Sequence, residues 1–134
     1  MASEDKTPDA DTVEFIHLHK TAVLIKAAAR MGGICAGAST DVLEALSAYG
    51  TKAGLAFQIA DDILNETSTP KALGKAAGSD RERGKMTYVA VHGLDGAKRT
   101  AARLAKEAVK SLAPLKGKIE PLKAIVEYIV IRKK

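Results

Sequence analysis

Residues 57 to 66 read Phe57-Gln58-Ile59-Ala60-Asp61-Asp62-Ile63-Leu64-Asn65-Glu66. This stretch sets two adjacent carboxylates inside an apolar segment with helical periodicity. Helical spacing brings Asp61 within one turn of Asn65, and Asp62 within one turn of both Glu66 and Gln58. Oxygen-bearing groups therefore gather on a restricted sector. Such a sector suits a hard cation, because Mg²⁺ takes oxygen ligands, keeps several waters and is held by one or two carboxylates plus substrate phosphates. The decapeptide alone favours a plainer reading, in which the pair lies at the solvent-exposed end of an amphipathic helix.

Working outward, residues 41 to 66 read as one helix. Val42, Leu46, Tyr49, Ala53, Phe57, Ala60 and Ile63 line its core face, and Gly50 and Gly54 permit close packing. Thr40 or Asp41 is its expected cap, with Glu44 near a capping-box position. The carboxylates fall towards its C-terminal end, where the helix dipole disfavours anions, which argues for a compensating cation. A preceding helix is expected over residues 14 to 38, with Phe15, Ile16, Val23, Leu24, Ala27, Met31, Ile34 and Cys35 as its apolar positions. Gly32, Gly33 and Gly37 inside that pattern suggest close approach of a neighbour.

Residues 67 to 86 form a loop rich in Gly, Ser and Thr, made basic by Lys71, Lys75, Arg81, Arg83 and Lys85. A short helix is expected over 86 to 91. An amphipathic one follows over 94 to 112, with Leu94, Ala97, Ala101, Leu104, Ala108 and Leu112 on one face. A last helix is expected over 121 to 131, followed by Arg132, Lys133 and Lys134.

The 134 residues fit one domain, and a 46% hydrophobic content with only 4% aromatics and no Trp favours helices. The fold class is therefore all-α. A net charge of +5 suits an anionic small molecule, nucleic acid or an acidic surface equally. Aromatic residues for base stacking are few and the basic residues form no dense stripe, which argues against nucleic acid. No apolar run approaches a membrane span. The single Cys35 reads as a small core residue in a reducing compartment. Glu4, Asp5, Asp9 and Asp11 stand where a signal peptide would have basic then apolar residues, so the expected location is cytoplasmic. His17, His19 and His92 lack the spacing of a zinc site; His17 reads as a packing residue, and His19 and His92 as exposed.

Four motifs occur in order. They are Ile16-His17-Leu18-His19-Lys20-Thr21; residues 54 to 64, which contain Asp61-Asp62; Leu73-Gly74-Lys75; and Gly78-Ser79-Asp80 followed by Lys85-Met86-Thr87-Tyr88. Together with the Tyr128-Ile129-Val130 ending, they resemble the trans-isoprenyl diphosphate synthases, nearest the geranyl and farnesyl branch, from about residue 14 onward. The resemblance implies the C-terminal half of the all-helical isoprenoid synthase fold over residues 13 to 134, behind an acidic leader of residues 1 to 12. It implies an enzyme that joins an allylic diphosphate to isopentenyl diphosphate using Mg²⁺.

Carried over by position, Asp61 and Asp62 resemble Mg²⁺ ligands, with Asn65 and Glu66 as further candidates. Lys20, Thr21, Lys75 and Lys85 resemble contacts to the substrate diphosphate, and Phe57 and Gln58 resemble part of the prenyl pocket. Phe57 as plain core and Lys20 as a surface charge are the rival readings. Asn65 stands where the family has a third Asp, which removes a charge. The family's other Asp-rich motif has no counterpart in the sequence, so the expectation is half an active site, inactive alone. Two readings follow: a prenyl-synthase half that works with a complementary N-terminal half, or a non-catalytic homologue that binds or regulates a partner. Either leaves apolar surface uncovered and predicts a homo-oligomer or an obligate partner.

Overall fold

The computed structural model describes residues 11–12, 15, 21–67 and 87–132. Four helices make up its frame: α1 (Val23–Cys35), α2 (Thr40–Thr67), α3 (Tyr88–Ser111) and α4 (Glu120–Ile131). No strand occurs among the described residues, so the all-α class holds. The loop expected over 67 to 86, together with Lys20, Lys75, Lys85, His17 and His19, lies outside the described residues beyond Thr67 itself.

The long helix α2 is the axis of the bundle, packed against α1, α3 and α4, while α3 also packs on α4. Two apolar clusters run along it. Leu46, Tyr49 and Ala53 meet Ala105, Ala108, Leu112 and Val126 in the first. Ala56, Ile59 and Ala60 meet Ala97, Ala101, Leu104 and Ile129 in the second. Alanines on both helices let their backbones approach closely along the seam that α2 and α3 bury.

Closer still is the α1–α2 contact. A Cβ at Gly50 would stand 2.5 Å from the Cα of Lys26, and one at Gly54 would collide with the Cα of Ala22. The close approach expected of the first helix's own glycines is met at Gly33, where a Cβ would strike Leu46 and Leu43. Gly32 faces open space.

Helix α1 ends at Cys35, earlier than expected. Gly37 adopts φ +73°, and the N–H groups of Ala38 and Gly37 return to the carbonyls of Gly33 and Ile34 at 2.9 and 3.0 Å. This is a Schellman stop, in which the left-handed glycine lets the last carbonyls find donors. The cap of α2 is Ser39, one residue before the expected Thr40. Its Oγ accepts from Val42 N at 3.4 Å, which leaves Glu44 outside a capping box.

Thr87 caps α3, its Oγ1 accepting from Ala90 N at 3.0 Å. The helix is broken at Gly93 (φ 74°, ψ 166°), which matches the two segments expected on either side of it.

Two expectations about burial are overturned. Cys35 is exposed rather than core, and so are Phe15, Val23, Leu24, Ala27, Met31 and Ile34. The surface of α1 that meets α2 is instead a narrow stripe made by Ala22 just before it and by Ile25, Ala29 and Gly33. Glycines on α2 accept small residues on α1, and the large side chains therefore turn outward.

Candidate functional site

The second half of α2 gathers the residues singled out by sequence. Gln58 is buried, and its side-chain amide donates to the hydroxyl of Thr21. Two residues 37 positions apart and taken from different motifs are thus one hydrogen-bonded pair. The tight packing at Gly54 brings this about, because it draws the chain around Ala22 against α2 one turn before Gln58.

One turn further, the two carboxylates part company. Asp62 is 9% exposed, and its Oδ2 accepts from the backbone N–H of Tyr88 at 2.9 Å. Tyr88 opens α3, so its N–H is one of the donors that a helix start leaves without an intrahelical partner. The carboxylate satisfies that donor and sits at the positive end of the α3 dipole. Asp61 and Asp62 lie more than a turn upstream of Thr67, beyond the strongest reach of the α2 dipole, and the α3 N-terminus already compensates Asp62.

Asp61 is the accessible one. Its side chain is 50% exposed, and Oδ1 lies 3.9 Å from Nη2 of Arg132. The Arg132 guanidinium sits 4.5 Å above the centre of the Phe57 ring. Phe57 is half-buried against the second core cluster. Its face is thus shared between the core and a cation. Asn65 and Glu66 follow, half-buried, on the next turn.

Sequence reasoning missed Arg132 and the Tyr88 backbone as parts of this site. Arg132 read as a terminal cation suited to the end of α4. It lies just past that helix in extended backbone (φ −60°, ψ 146°), which carries it to Phe57. For Tyr88 a signal existed, since Thr87 before an apolar run is an N-cap and marks the next N–H as needing an acceptor. His92 is exposed, as expected, and stacks on Tyr88 with ring centres 4.1 Å apart.

The donor set tests whether a cation fits. No three His, Cys, Asp or Glu residues form a metal-holding group among the described residues. What is offered is oxygen-only chemistry: one half-exposed carboxylate, a second that is buried and bonded to backbone, and side-chain amides at Gln58 and Asn65. That set fits Mg²⁺, which keeps waters and takes the rest of its ligands from phosphate.

The class that the fold and the site define is an all-helical bundle with paired carboxylates on its central helix. Comparison makes the class specific. The chain belongs to the polyprenyl synthetase family, whose model matches residues 1–129. It is 41% identical over 133 residues to the mitochondrial geranylgeranyl pyrophosphate synthase 6 of Arabidopsis thaliana, covering 98% of this chain and 40% of that protein. Among solved structures, the geranylgeranyl pyrophosphate synthetase of Pyrococcus horikoshii superposes with a TM-score of 0.88 at 26% identity, over 98% of this chain and 52% of that one. The geranyltransferase of Helicobacter pylori, solved with magnesium and isoprenyl diphosphate, gives a TM-score of 0.74 at 31% identity, over 96% of this chain and 42% of that one. The chain thus spans about 40% of the length of the curated relative.

Proposed function

We propose that this chain supplies one metal- and diphosphate-binding half of a prenyl diphosphate synthase site. Residues 13 to 134 form that unit, and residues 1 to 12 its leader. The observation that carries the reading is the convergence of Asp61, Asp62 and the Gln58–Thr21 pair at one end of α2. Thr21 comes from a different motif from the other three, and its bond to Gln58 brings the two motifs into one neighbourhood.

Asp61 is the carboxylate free enough in space to take Mg²⁺, with Asp62, Asn65 and Glu66 as its neighbours on α2. Bound there, Mg²⁺ supplies charge that stabilises a departing diphosphate. The remaining steps belong to the protein. Asp62 joins α2 to the start of α3, which holds the carboxylate turn in place. Gln58 fixes the Thr21 hydroxyl, so that its orientation is set before a phosphate oxygen arrives. Lys20, Lys75 and Lys85 are the proposed cations for the diphosphate, and Phe57 the apolar contact beside it. The substrate so held is an allylic diphosphate, and its condensation partner is isopentenyl diphosphate.

Asp61-Asp62 is the only Asp-Asp pair in the sequence. Condensation as this family performs it draws on a second Asp-rich cluster, so the 134 residues alone are expected to bind Mg²⁺ and diphosphate without forming product. Calorimetry of the purified chain with Mg²⁺ and inorganic pyrophosphate tests this. Binding that disappears in the Asp61→Ala/Asp62→Ala double variant supports the reading, and binding unchanged in that variant refutes it. Robust condensation by the chain alone would refute the half-site.

A second reading is favoured by the exposed apolar side of α1, namely a non-catalytic chain that binds or regulates a partner synthase. Under either reading a second copy or a complementary half covers that side. The proposed location is cytoplasmic; the Arabidopsis relative is mitochondrial. No helix among the described residues is long and apolar enough to cross a membrane.

A further inference from the structure

A groove of about 460 Å³ lies between α3 and α4 and shares no residue with the site on α2. Ala102, Ala105 and Val109 line it from α3, and Val126 and Val130 from α4. Ala105 and Val126 are buried and make its floor. The rest of its lining is Lys106, Lys110, Lys123 and Glu127, all of them exposed. Three ammoniums against one carboxylate leave two positive charges in excess. None of the three lysines makes an ion pair among the described residues. Glu107, the acid beside Lys106 on α3, is taken by Arg103 at 2.8 Å and lies 3.9 Å from Lys52.

We infer that this groove binds a single hydrocarbon chain with a phosphate head. A concavity of this size, apolar inside with a few charged groups at its edge, has the make-up of a small-molecule site. The alanines and valines take the chain. Lysine stems lie along apolar surface while their ammoniums stay at the water boundary, so the charge stands at the rim, on both helices. That charge selects the head. A phosphate monoester above its second pKa, near 6, carries close to two negative charges and answers the excess of two, whereas a carboxylate answers one. Ammonium and phosphate meet directly in charge-assisted hydrogen bonds, so no divalent cation is required. A second copy of the chain is a poorer occupant. Its exposed apolar face on α1 carries Lys26 and Arg30 and no acid, which sets like charges against the rim. The inference is independent of the half-site reading above.

The test uses the full 134-residue chain with labelled valine methyl groups. Decyl phosphate is titrated at pH 8, below the concentration at which it self-associates, with EDTA present to exclude any metal-dependent phosphate site. The methyl resonances of Val109, Val126 and Val130 are expected to shift and those of Val23 to stay in place. Octyl phosphate should bind about fifteen-fold more weakly by calorimetry, since each of two buried methylenes is worth about four-fold. Decanoate should bind more weakly than decyl phosphate. Lys106→Gln combined with Lys110→Gln should weaken decyl phosphate by about five-fold. Ala102→Leu, which fills the groove from an exposed position, should weaken it with the charges kept. The inference is overturned if the wild-type valines of the groove do not respond, or if Val23 responds in their place. It is equally overturned if decanoate binds as tightly as decyl phosphate, or if both variants bind like wild type. Shifts at the groove valines that grow with protein concentration in the absence of ligand would put a second copy there and overturn it as well. Should a variant fail to fold by circular dichroism, the wild-type shift map and the comparison of chain lengths still decide. With metal excluded throughout, a negative result counts against the groove alone and not against the site on α2.

Discussion

Asp62 Oδ2 accepts the backbone N–H of Tyr88 at 2.9 Å, so one carboxylate of the Asp-Asp pair closes the start of α3. Its neighbour Asp61 stands half-exposed, and among the described residues its ion pair is the 3.9 Å one to Arg132. The two residues therefore divide structure and ligand binding unequally. Asp62→Ala is expected to cost about 1.5–3 kcal/mol of stability, as for a charge-assisted hydrogen bond lost from a buried site. Asp61→Ala should cost less than about 1 kcal/mol, because the carboxylate is half-solvated and its pair is long. Asp62→Asn keeps an acceptor for Tyr88, so most of the stability should return while the charge does not. Urea melts rank the stabilities. Calorimetry with Mg²⁺ and pyrophosphate ranks binding, where Asp61→Ala should be the most damaging. A less stable Asp61→Ala than Asp62→Ala would refute the division.

Gly54 is a second point of leverage on the site. Its missing Cβ is what lets the Cα of Ala22 rest on α2, and Thr21 beside it reaches Gln58 because of that contact. Gly54→Ala forces backbone against a side chain, an overpacking expected to cost about 1–3 kcal/mol. The gain in helix propensity, about 1 kcal/mol, offsets only part of this. Chemical denaturation should show the net loss. An Ala variant as stable as wild type would mean that α1 and α2 are not held this closely.

The pattern of small residues explains why parts of this molecule could be read from sequence and parts could not. In the core stripe of α2, Leu46, Tyr49, Ala53 and Ala60 follow helical period and are buried as expected, while Phe57 is half-buried. The stripe on α3 from Ala97 to Leu112 behaves in the same way. For α1 the same rule chose the wrong side. Large apolar residues mark a core only where the partner helix has room for them, and Gly50 and Gly54 leave room for Ala22 and Lys26 backbone alone. At the site, Asp61, Asp62 and Gln58 could be placed together because they share one helix. Arg132 over Phe57 and Tyr88 beside Asp62 are joined across 75 and 26 residues, and no local period carries such pairings.

Tyr49 gives the fold a dependence on alkaline pH. It is buried between α2 and α4, and its hydroxyl donates to the carbonyl of Leu122 at 2.6 Å. Burial pushes the phenol pKa from 10.0 up to about 12, because the phenolate loses solvation in the core. A pKa raised on folding means that the folded chain retains its proton where the unfolded chain releases it. The contribution is therefore complete below pH 10 and is lost as pH rises from about 10 to 12. Tyr49→Phe should cost about 1 kcal/mol near neutral pH, since the Leu122 carbonyl loses its donor. The same variant should lose less stability than wild type between pH 9 and pH 11, measured by urea titration at each pH. Parallel curves for the two proteins would refute the assignment.

On α1, Val23, Leu24, Met31 and Ile34 are 50–70% exposed. At 100° per residue they fall within an arc of about 100°, roughly opposite the Ala22, Ile25, Ala29 and Gly33 stripe that faces α2. Aligned apolar side chains of this size on one face are a surface that association would bury. Sedimentation equilibrium at micromolar concentration should accordingly find the chain self-associated. Leu24→Glu combined with Met31→Glu should shift it towards monomer with helicity unchanged by circular dichroism, because neither side chain packs in the monomer's core. Cys35 is also exposed and lies four residues from Met31. A maleimide probe should therefore label it more slowly as the wild-type concentration rises, and at a constant rate in the double variant. A wild-type chain that stays monomeric, with concentration-independent labelling, would show that this face is tolerated in water and would remove the case for a second copy.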